Sequence, residues 1–334
     1  MKLLVSGGAG YIGSHVVLQL LESGHEVVVF DNLSTGQAHA VGDAELVVGD
    51  LADGDMLDAL FERHRFDGVL HFAASIVVPE SVADPLKYYD NNTGNMIRLL
   101  ERVNMHRVPH FVFSSTAAVY GMPEVPVVDE QVRLAPINPY GASKMMSERV
   151  LADLARAEPA LSYVALRYFN VAGADPEGRI GQETPNATHL IKVACQAALG
   201  ERDGVDIFGT DYDTPDGTCI RDYIHVADLA RAHLEALDYL AGGGDSTVLN
   251  CGYGRGYSVR EVLDVAHRVT GREFPVREGE RRAGDPPQLV SAAGRIREVL
   301  GWQPRYDDLE TIVGHAWAWE QRLAARKKGF AAET

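Results

Sequence analysis

The segment Gly7-Gly8-Ala9-Gly10-Tyr11-Ile12-Gly13 constrains the fold more than any other stretch of the chain. It follows the apolar run Leu3–Ser6 and leads into a helical pattern over Ile12–Ser23, which stops at Gly24, a residue suited to a helix C′ position. A strand, a turn bare of side chains at Gly7, Gly10 and Gly13, and a helix together present free backbone N–H groups at the helix start. Those groups and the helix dipole favour a pyrophosphate. A glycine triplet alone is weak evidence. Asp31 strengthens it, because it closes the next apolar run, Glu26–Asp31. A carboxylate there accepts hydrogen bonds from ribose hydroxyls and repels a 2′-phosphate, which favours NAD over NADP. Asp50, after the run Glu45–Gly49, can reach an adenine or serve as a plain turn residue.

Further apolar runs at Gly68–Ala73, His110–Ser114 and Ser162–Tyr168 read as strands covered on both faces. Pro85 opens another helix, with Leu86, Tyr89, Met96, Leu100 and Val103 at helical spacing. Repeated β–α alternation implies an α/β fold with a Rossmann-type doubly wound parallel sheet. Beyond Asn170 the pattern loosens into glycines, prolines and polar turns. Asp228–Tyr239 is again helical, Thr247–Cys251 is one more strand, and Val259–Thr270 and Leu309–Arg326 are helices. Residues 327–334 read as a loose terminus. The expected organisation is an NAD-binding Rossmann domain of 1–170 plus about 222–255 and a smaller mixed α/β domain of 171–221 plus about 256–330.

Composition narrows the function. The 334 residues are 46% apolar and 23% charged, ordinary globular values. A net charge of -16 argues against nucleic acid, which needs a basic footprint. It leaves room for a small anionic substrate met by a local arginine cluster. Cys195, Cys219 and Cys251 are scattered and odd in number, as reduced cytoplasmic thiols are. The apolar opening is too short for a secretion signal, and no run nears the roughly 18 apolar residues of a membrane span. No membrane association is expected, and the cytoplasm is the expected location.

The chemistry-bearing residues follow the fifth strand. In Pro139-Tyr140-Gly141-Ala142-Ser143-Lys144, the spacing puts Tyr140 and Lys144 on one helix face. An ammonium beside a phenol favours the phenolate, lowering a pKa otherwise about 10 towards that of a usable general base. Ser114–Gly121 places hydroxyls, Thr116 among them, at the carboxyl end of a parallel strand, where open α/β sheets bind ligands. Thr116 can bond a substrate hydroxyl and relay its proton. Metal binding is not expected. The Asp211–Gly217 loop has its glycine one place late for calcium and no closing Glu, and Pro109 breaks any helix joining His106 and His110.

Gly7–Gly13, Ser114–Gly121 and Tyr140–Lys144 together resemble the extended short-chain dehydrogenase/reductase family, whose members act on sugar nucleotides. Tyr11–His15, Phe30–Leu33, Tyr88–Asn92, Arg167–Asn170 and Asp216–Val226 resemble its UDP-sugar 4-epimerase branch, and the likeness runs from about Lys2 to Trp319. The resemblance implies reversible C4 epimerisation of UDP-galactose and UDP-glucose through a 4-keto intermediate, with Tyr140 as base, Thr116 as its hydroxyl partner and Lys144 beside them. It implies NAD contacts from Gly7, Gly10, Tyr11, Ile12, Gly13, Asp31, Asn32, Asp50, Leu51, Phe72, Ala73, Asn91, Tyr140, Lys144 and Tyr168. It assigns the UDP-sugar to Thr116, Asn170, His189, Leu190, Arg221, Arg282, Asp285 and Leu289, and it implies a homodimer built on the Pro85 and Tyr140 helices. Paired guanidiniums suit a diphosphate. Three positions depart from some members: Ile76 replaces a Lys near the cofactor phosphates, Thr116 a Ser, and Leu289 a Tyr that restricts the sugar pocket. Epimerisation of UDP-N-acetylglucosamine or UDP-glucuronate is the alternative reading, and a non-catalytic NAD sensor a remote one. Ala117-Ala118 stands where family dehydratases use acidic residues, which counts against dehydration.

Overall fold

Neighbouring residues of the first strand go to different cores, and this decides the architecture. Leu3 and Val5 pack with Val16, Val17 and Leu20 on one side, while Leu4 packs with Val28, Leu57 and Phe61 on the other. A strand apolar in both directions must be covered on both faces. The computed structural model describes residues 1–185, 187–282 and 284–333, without the side chains of 328–333.

The central sheet has seven strands, all parallel: β1 (Lys2–Ser6), β2 (Glu26–Asp31), β3 (Glu45–Val48), β4 (Gly68–His71), β5 (His110–Thr116), β6 (Ser162–Tyr168) and β7 (Thr247–Cys251). Their order is β3-β2-β1-β4-β5-β6-β7. It reverses direction between β1 and β4, the switch point where doubly wound sheets open a crevice at their carboxyl ends. The Rossmann-type α/β class expected from the sequence is therefore observed.

Helix α1 (Tyr11–Glu22) ends as its sequence dictates. Gly24 takes φ 79, its N–H bonds the Leu21 carbonyl, and the His25 N–H bonds the Leu20 carbonyl. That is a Schellman closure, which needs a residue tolerant of positive φ. The Pro85 segment differs from expectation. It is α-helical over Pro85–Tyr88, π-helical over Tyr89–Gly94 and α-helical over Asn95–Met105. The wider π turn rotates the faces on its two sides apart. Met96, Leu100 and Val103 reach the core, but Leu86 is 78% exposed. The final helix runs over Leu309–Glu333, past Arg326, so the expected loose terminus is largely helical.

Outside the main sheet, strand Ile220–His225 pairs in parallel with Asn170–Ala172 and Gln288–Ser291, and antiparallel with Gly256–Ser258. Val205–Phe208 pairs with Val276–Gly279. Buried Asp222 ties these pieces together by accepting the N–H groups of Tyr253, Gly254 and Ser291. Burial pushes its carboxyl up to about 6, against the pull of those three donors.

The helix Pro139–Ala157 is started by Asn138, whose side chain accepts the Gly141 N–H, and by Pro139 at its first position. It is fastened to the sheet by a buried ion pair. Arg167 on β6 donates to both oxygens of Glu148, from Nη2 at 2.6 Å and Nε at 3.0 and 3.2 Å. Ser115 on β5 donates to the same carboxylate, and Arg167 Nη1 reaches the Tyr120 hydroxyl, which donates to Asn250 on β7. Every polar group of the pair is satisfied, so removing one partner strands the other. Glu148→Gln is expected to cost about 3–5 kcal/mol, read as a fall in Tm by calorimetry, and Glu148→Met with Arg167→Met to recover much of it. A neutral single variant would contradict this account.

Candidate active site

The three glycines of the first turn play different parts. Gly7 has φ +75, and a Cβ there would lie 2.4 Å from the Ala73 nitrogen. A Cβ on Gly13 would lie 2.3 Å from the Gly7 carbonyl oxygen. These two are required by backbone packing alone. Gly10 is different: its Cβ would meet only the Gly7 oxygen, at 3.3 Å. A side chain there would instead stand in front of the helix start, where Tyr11, Ile12 and Gly13 have no intrahelical acceptor for their N–H groups. A tight turn, an open approach and a close helix packing are what a pyrophosphate cradle needs. The residues present fit a dinucleotide.

Asp31 anchors this turn as well as facing the crevice. Its carboxylate accepts the Ala9 N–H at 2.9 Å and the Leu33 N–H at 2.8 Å. Asn32 donates to Asp50 at 2.8 Å, which joins the ends of β2 and β3. Phe72 and Ala73 follow β4 directly, their N–H groups bonded to the Ser6 carbonyl. The Leu51 side chain belongs to the core. Asn91, in the π turn, donates to the Ser75 hydroxyl, and neighbouring Asn92 brackets the Ser75 backbone and reaches Ser143. Ile76, next in that loop, is exposed.

Tyr140, Lys144 and Thr116 are all buried at the carboxyl end of β5. Burial pushes the Tyr140 phenol above its ordinary pKa, and a hydrogen bond with Thr116 pulls it back. Burial brings the Lys144 ammonium down to about 7, while the Glu148 carboxylate raises it. The expected lowering of the phenol by Lys144 is not what the chain alone produces. Lys144 donates to the Ser114 carbonyl at 2.9 Å and lies over the Phe113 ring, and desolvation governs both groups. Tyr168 lies beside Thr116 in the sheet register and accepts a hydrogen bond from Ser114.

The residues expected to hold a UDP-sugar gather around one strand. Arg221 on Ile220–His225 is the register partner of Leu289, and Asn170 pairs with Tyr223 on the same strand. Arg221 lies 3.6 Å from Asp285, and the Asp285 N–H bonds the Arg282 carbonyl. Leu289 packs against the cluster of Ala117, Val119, Tyr120 and Phe169 beside the Thr116 turn. His189 is the N-cap of helix Leu190–Ala198, and Leu190 packs on the main core. His189 lines one small cavity with Val171, Ala172, Gln182, Lys192 and Glu320, and Asn170 is not part of that lining. Sequence reasoning passed over Phe208, whose ring carries the Arg282 guanidinium at 4.2 Å, and nothing in its neighbourhood announced it. It also passed over Glu148, which its i+4 spacing from Lys144 could have flagged.

Residues 3–252 match the NAD dependent epimerase/dehydratase family. The chain belongs to that family. It is similar to the UDP-glucose 4-epimerase of Azospirillum brasilense, 57% identical over 323 residues that cover 96% of this chain and 92% of the relative. Its structure is similar to a UDP-glucose 4-epimerase from Brucella ovis in complex with NAD, with TM-score 0.92, 47% identity, and 95% and 97% of the two chains covered. It is also similar to the UDP-Glc/GlcNAc 4-epimerase of Campylobacter jejuni, with TM-score 0.85, 53% identity, and 96% and 99% covered. In a family whose description carries NAD, the contrast between the glycines becomes measurable. Gly13→Ala should cost about 1–3 kcal/mol of stability by overpacking. Gly10→Ala should leave Tm nearly unchanged yet weaken NAD in a fluorescence titration. Equal Tm losses in both would contradict the division of parts.

Proposed function

We propose that the chain interconverts UDP-galactose and UDP-glucose by inverting C4 of the sugar on bound NAD. The observation that carries the reading is the buried group of Thr116, Tyr140 and Lys144 at the carboxyl end of β5, on the same edge of the sheet as the glycine turn. Gly7, Gly10, Tyr11, Ile12 and Gly13 receive the pyrophosphate. Asp31, Asn32, Asp50, Leu51, Phe72, Ala73, Asn91 and Tyr168 surround the rest of the dinucleotide. Bound NAD supplies the redox capacity for removing and returning a hydride at the sugar carbon. Tyr140 takes the 4-hydroxyl proton as the 4-keto sugar forms, directly or through Thr116, and gives it back when the hydroxyl is restored. Lys144 holds positive charge near the phenol while it is ionised. Arg221 and Arg282 grip the diphosphate, with Asn170, His189, Leu190 and Asp285 about the nucleotide, so the sugar turns while its anchor stays fixed.

We read 1–170 with about 222–255 as the NAD lobe and 171–221 with about 256–330 as the UDP-sugar lobe. A homodimer through the Pro85 and Tyr140 helices is supported by apolar side chains left exposed there, Leu86, Ile97, Met105 and Met146. A cytoplasmic setting is supported by three buried, unbridged cysteines. Among the described residues no helix is long and apolar enough to cross a membrane.

Tyr140→Phe is expected to lower kcat by about 10²–10⁴-fold while UDP-sugar binding persists. Near wild-type turnover would remove Tyr140 as the base. Leu289 also supports a second activity, on UDP-N-acetylgalactosamine, slower than on UDP-galactose. The likeness to the UDP-Glc/GlcNAc enzyme of Campylobacter jejuni favours it. An apolar wall discriminates by only about 1–3 kcal/mol per methylene-sized change. Leu289→Tyr should therefore suppress N-acetyl turnover more than galactose turnover, followed by NMR of the products. Equal losses would refute this part for Leu289.

A further inference from the structure

The side-chain amide of Gln182 meets Nδ1 of His189 at 2.8 Å. With its nitrogen turned to the ring the amide donates, which makes Nδ1 the acceptor and puts the ring proton on Nε2. Gln182 itself is buried and held from behind. Its backbone carbonyl accepts from Lys192 Nζ at 2.7 Å, and Lys192 pairs with Glu320 on the final helix. The His189 backbone is fixed too, because its carbonyl accepts the Val193 N–H at the start of helix Leu190–Ala198. Burial and the Lys192 ammonium keep the imidazole below its ordinary pKa. The other charged groups nearby are engaged elsewhere. Glu183 meets His39 and Arg326, and Arg202 bonds the Ala187 carbonyl. With Nδ1 occupied, Nε2 is the ring atom left to meet a ligand.

We propose that Gln182 is a positioning residue that locks His189 as the Nε2–H tautomer, so that the ring offers the UDP group a neutral N–H donor. The proposal rests on the reading of His189 as a UDP-sugar contact. It explains why a histidine can serve there without making nucleotide binding depend on pH across its usual titration range. A lone pair on Nε2 would face phosphate or uracil oxygens and repel them. An N–H attracts them at any pH.

The test uses calorimetric titration of UDP-glucose into the full-length Tyr140→Phe protein, where turnover is suppressed, from about pH 6 to about pH 8.5, the window in which histidine titrates. Gln182→Met frees the tautomer and should weaken binding by about 2–10-fold at every pH, the range of one lost neutral hydrogen bond. Gln182→Glu reverses the bond, since a carboxylate accepts from Nδ1–H. Nε2 then donates only when the ring is protonated, so binding should weaken by about tenfold from the acid to the alkaline end. A purely structural role would weaken binding in both variants without that slope. Parent-like affinity in Gln182→Met, or no slope beyond the parent's in Gln182→Glu, overturns the proposal. His189→Ala distinguishes the two failures. If it binds as tightly as the parent, the UDP contact of His189 falls and the proposal with it. If it binds weakly while both Gln182 variants behave like the parent, the proposal alone falls.

Discussion

The Glu148–Arg167 pair is the interaction on which the rest of the site depends. The groups proposed to act on the substrate and cofactor come from separate pieces of chain: Thr116 from the end of β5, Tyr140 and Lys144 from one helix, Tyr168 from β6. Nothing in local structure obliges that helix to keep a fixed rotation against the sheet. A bidentate ion pair with a serine and a tyrosine on its flanks does so, because a buried charge tolerates little displacement from its partner. One turn above Glu148 is Lys144, and beside Arg167 is Tyr168. The same contact that sets the helix angle also sets the distance between the phenol and the strand-end hydroxyl. It further places a carboxylate where it supports the charge on Lys144.

The second half of the site is organised by one strand. Ile220–His225 pairs with Gln288–Ser291 along its first half and with Asn170–Ala172 along its second, so residues 68 and 53 apart in sequence become register neighbours. Asp222, adjacent to Arg221, accepts three backbone N–H groups from two other segments. The guanidinium expected to meet the diphosphate is thus mounted next to a buried carboxylate held by three backbone donors. Loops that would otherwise wander are fixed by backbone donors closing on a single side chain.

Much of this was legible in the sequence. The sheet was, because strands buried on both faces leave nearly unbroken apolar runs, and the helix after Gly13 was, because its glycine stop has a conformational cause. The Tyr140–Lys144 face was legible from spacing. The π turn was not. Its residues, Tyr89 to Gly94, are weak helix formers that announce no particular kind of helix, and the turn is held by Asn91 and Asn92 bonding Ser75, a contact that local spacing does not reveal. The effect of Lys144 on Tyr140 was misjudged for a related reason. Spacing reports which groups share a face, but not how deeply both are buried, and desolvation outweighs the attraction between them in the chain itself. The Gln182–His189 bond had no signal, since an amide seven residues from an imidazole is unremarkable until a loop folds back.

Asp31 has a consequence for how such an enzyme can change over time. It is proposed to meet the nucleotide and also accepts the N–H groups of Ala9 and Leu33. A lineage that exchanged it for a small neutral residue, to admit a phosphorylated ribose, would leave two backbone donors without an acceptor at the mouth of the glycine turn. Each such loss is worth on the order of 1–3 kcal/mol when the group is buried. Cofactor preference and the integrity of the turn are therefore inherited together, and a switch of dinucleotide has to begin elsewhere in the loop, with a replacement acceptor already in place.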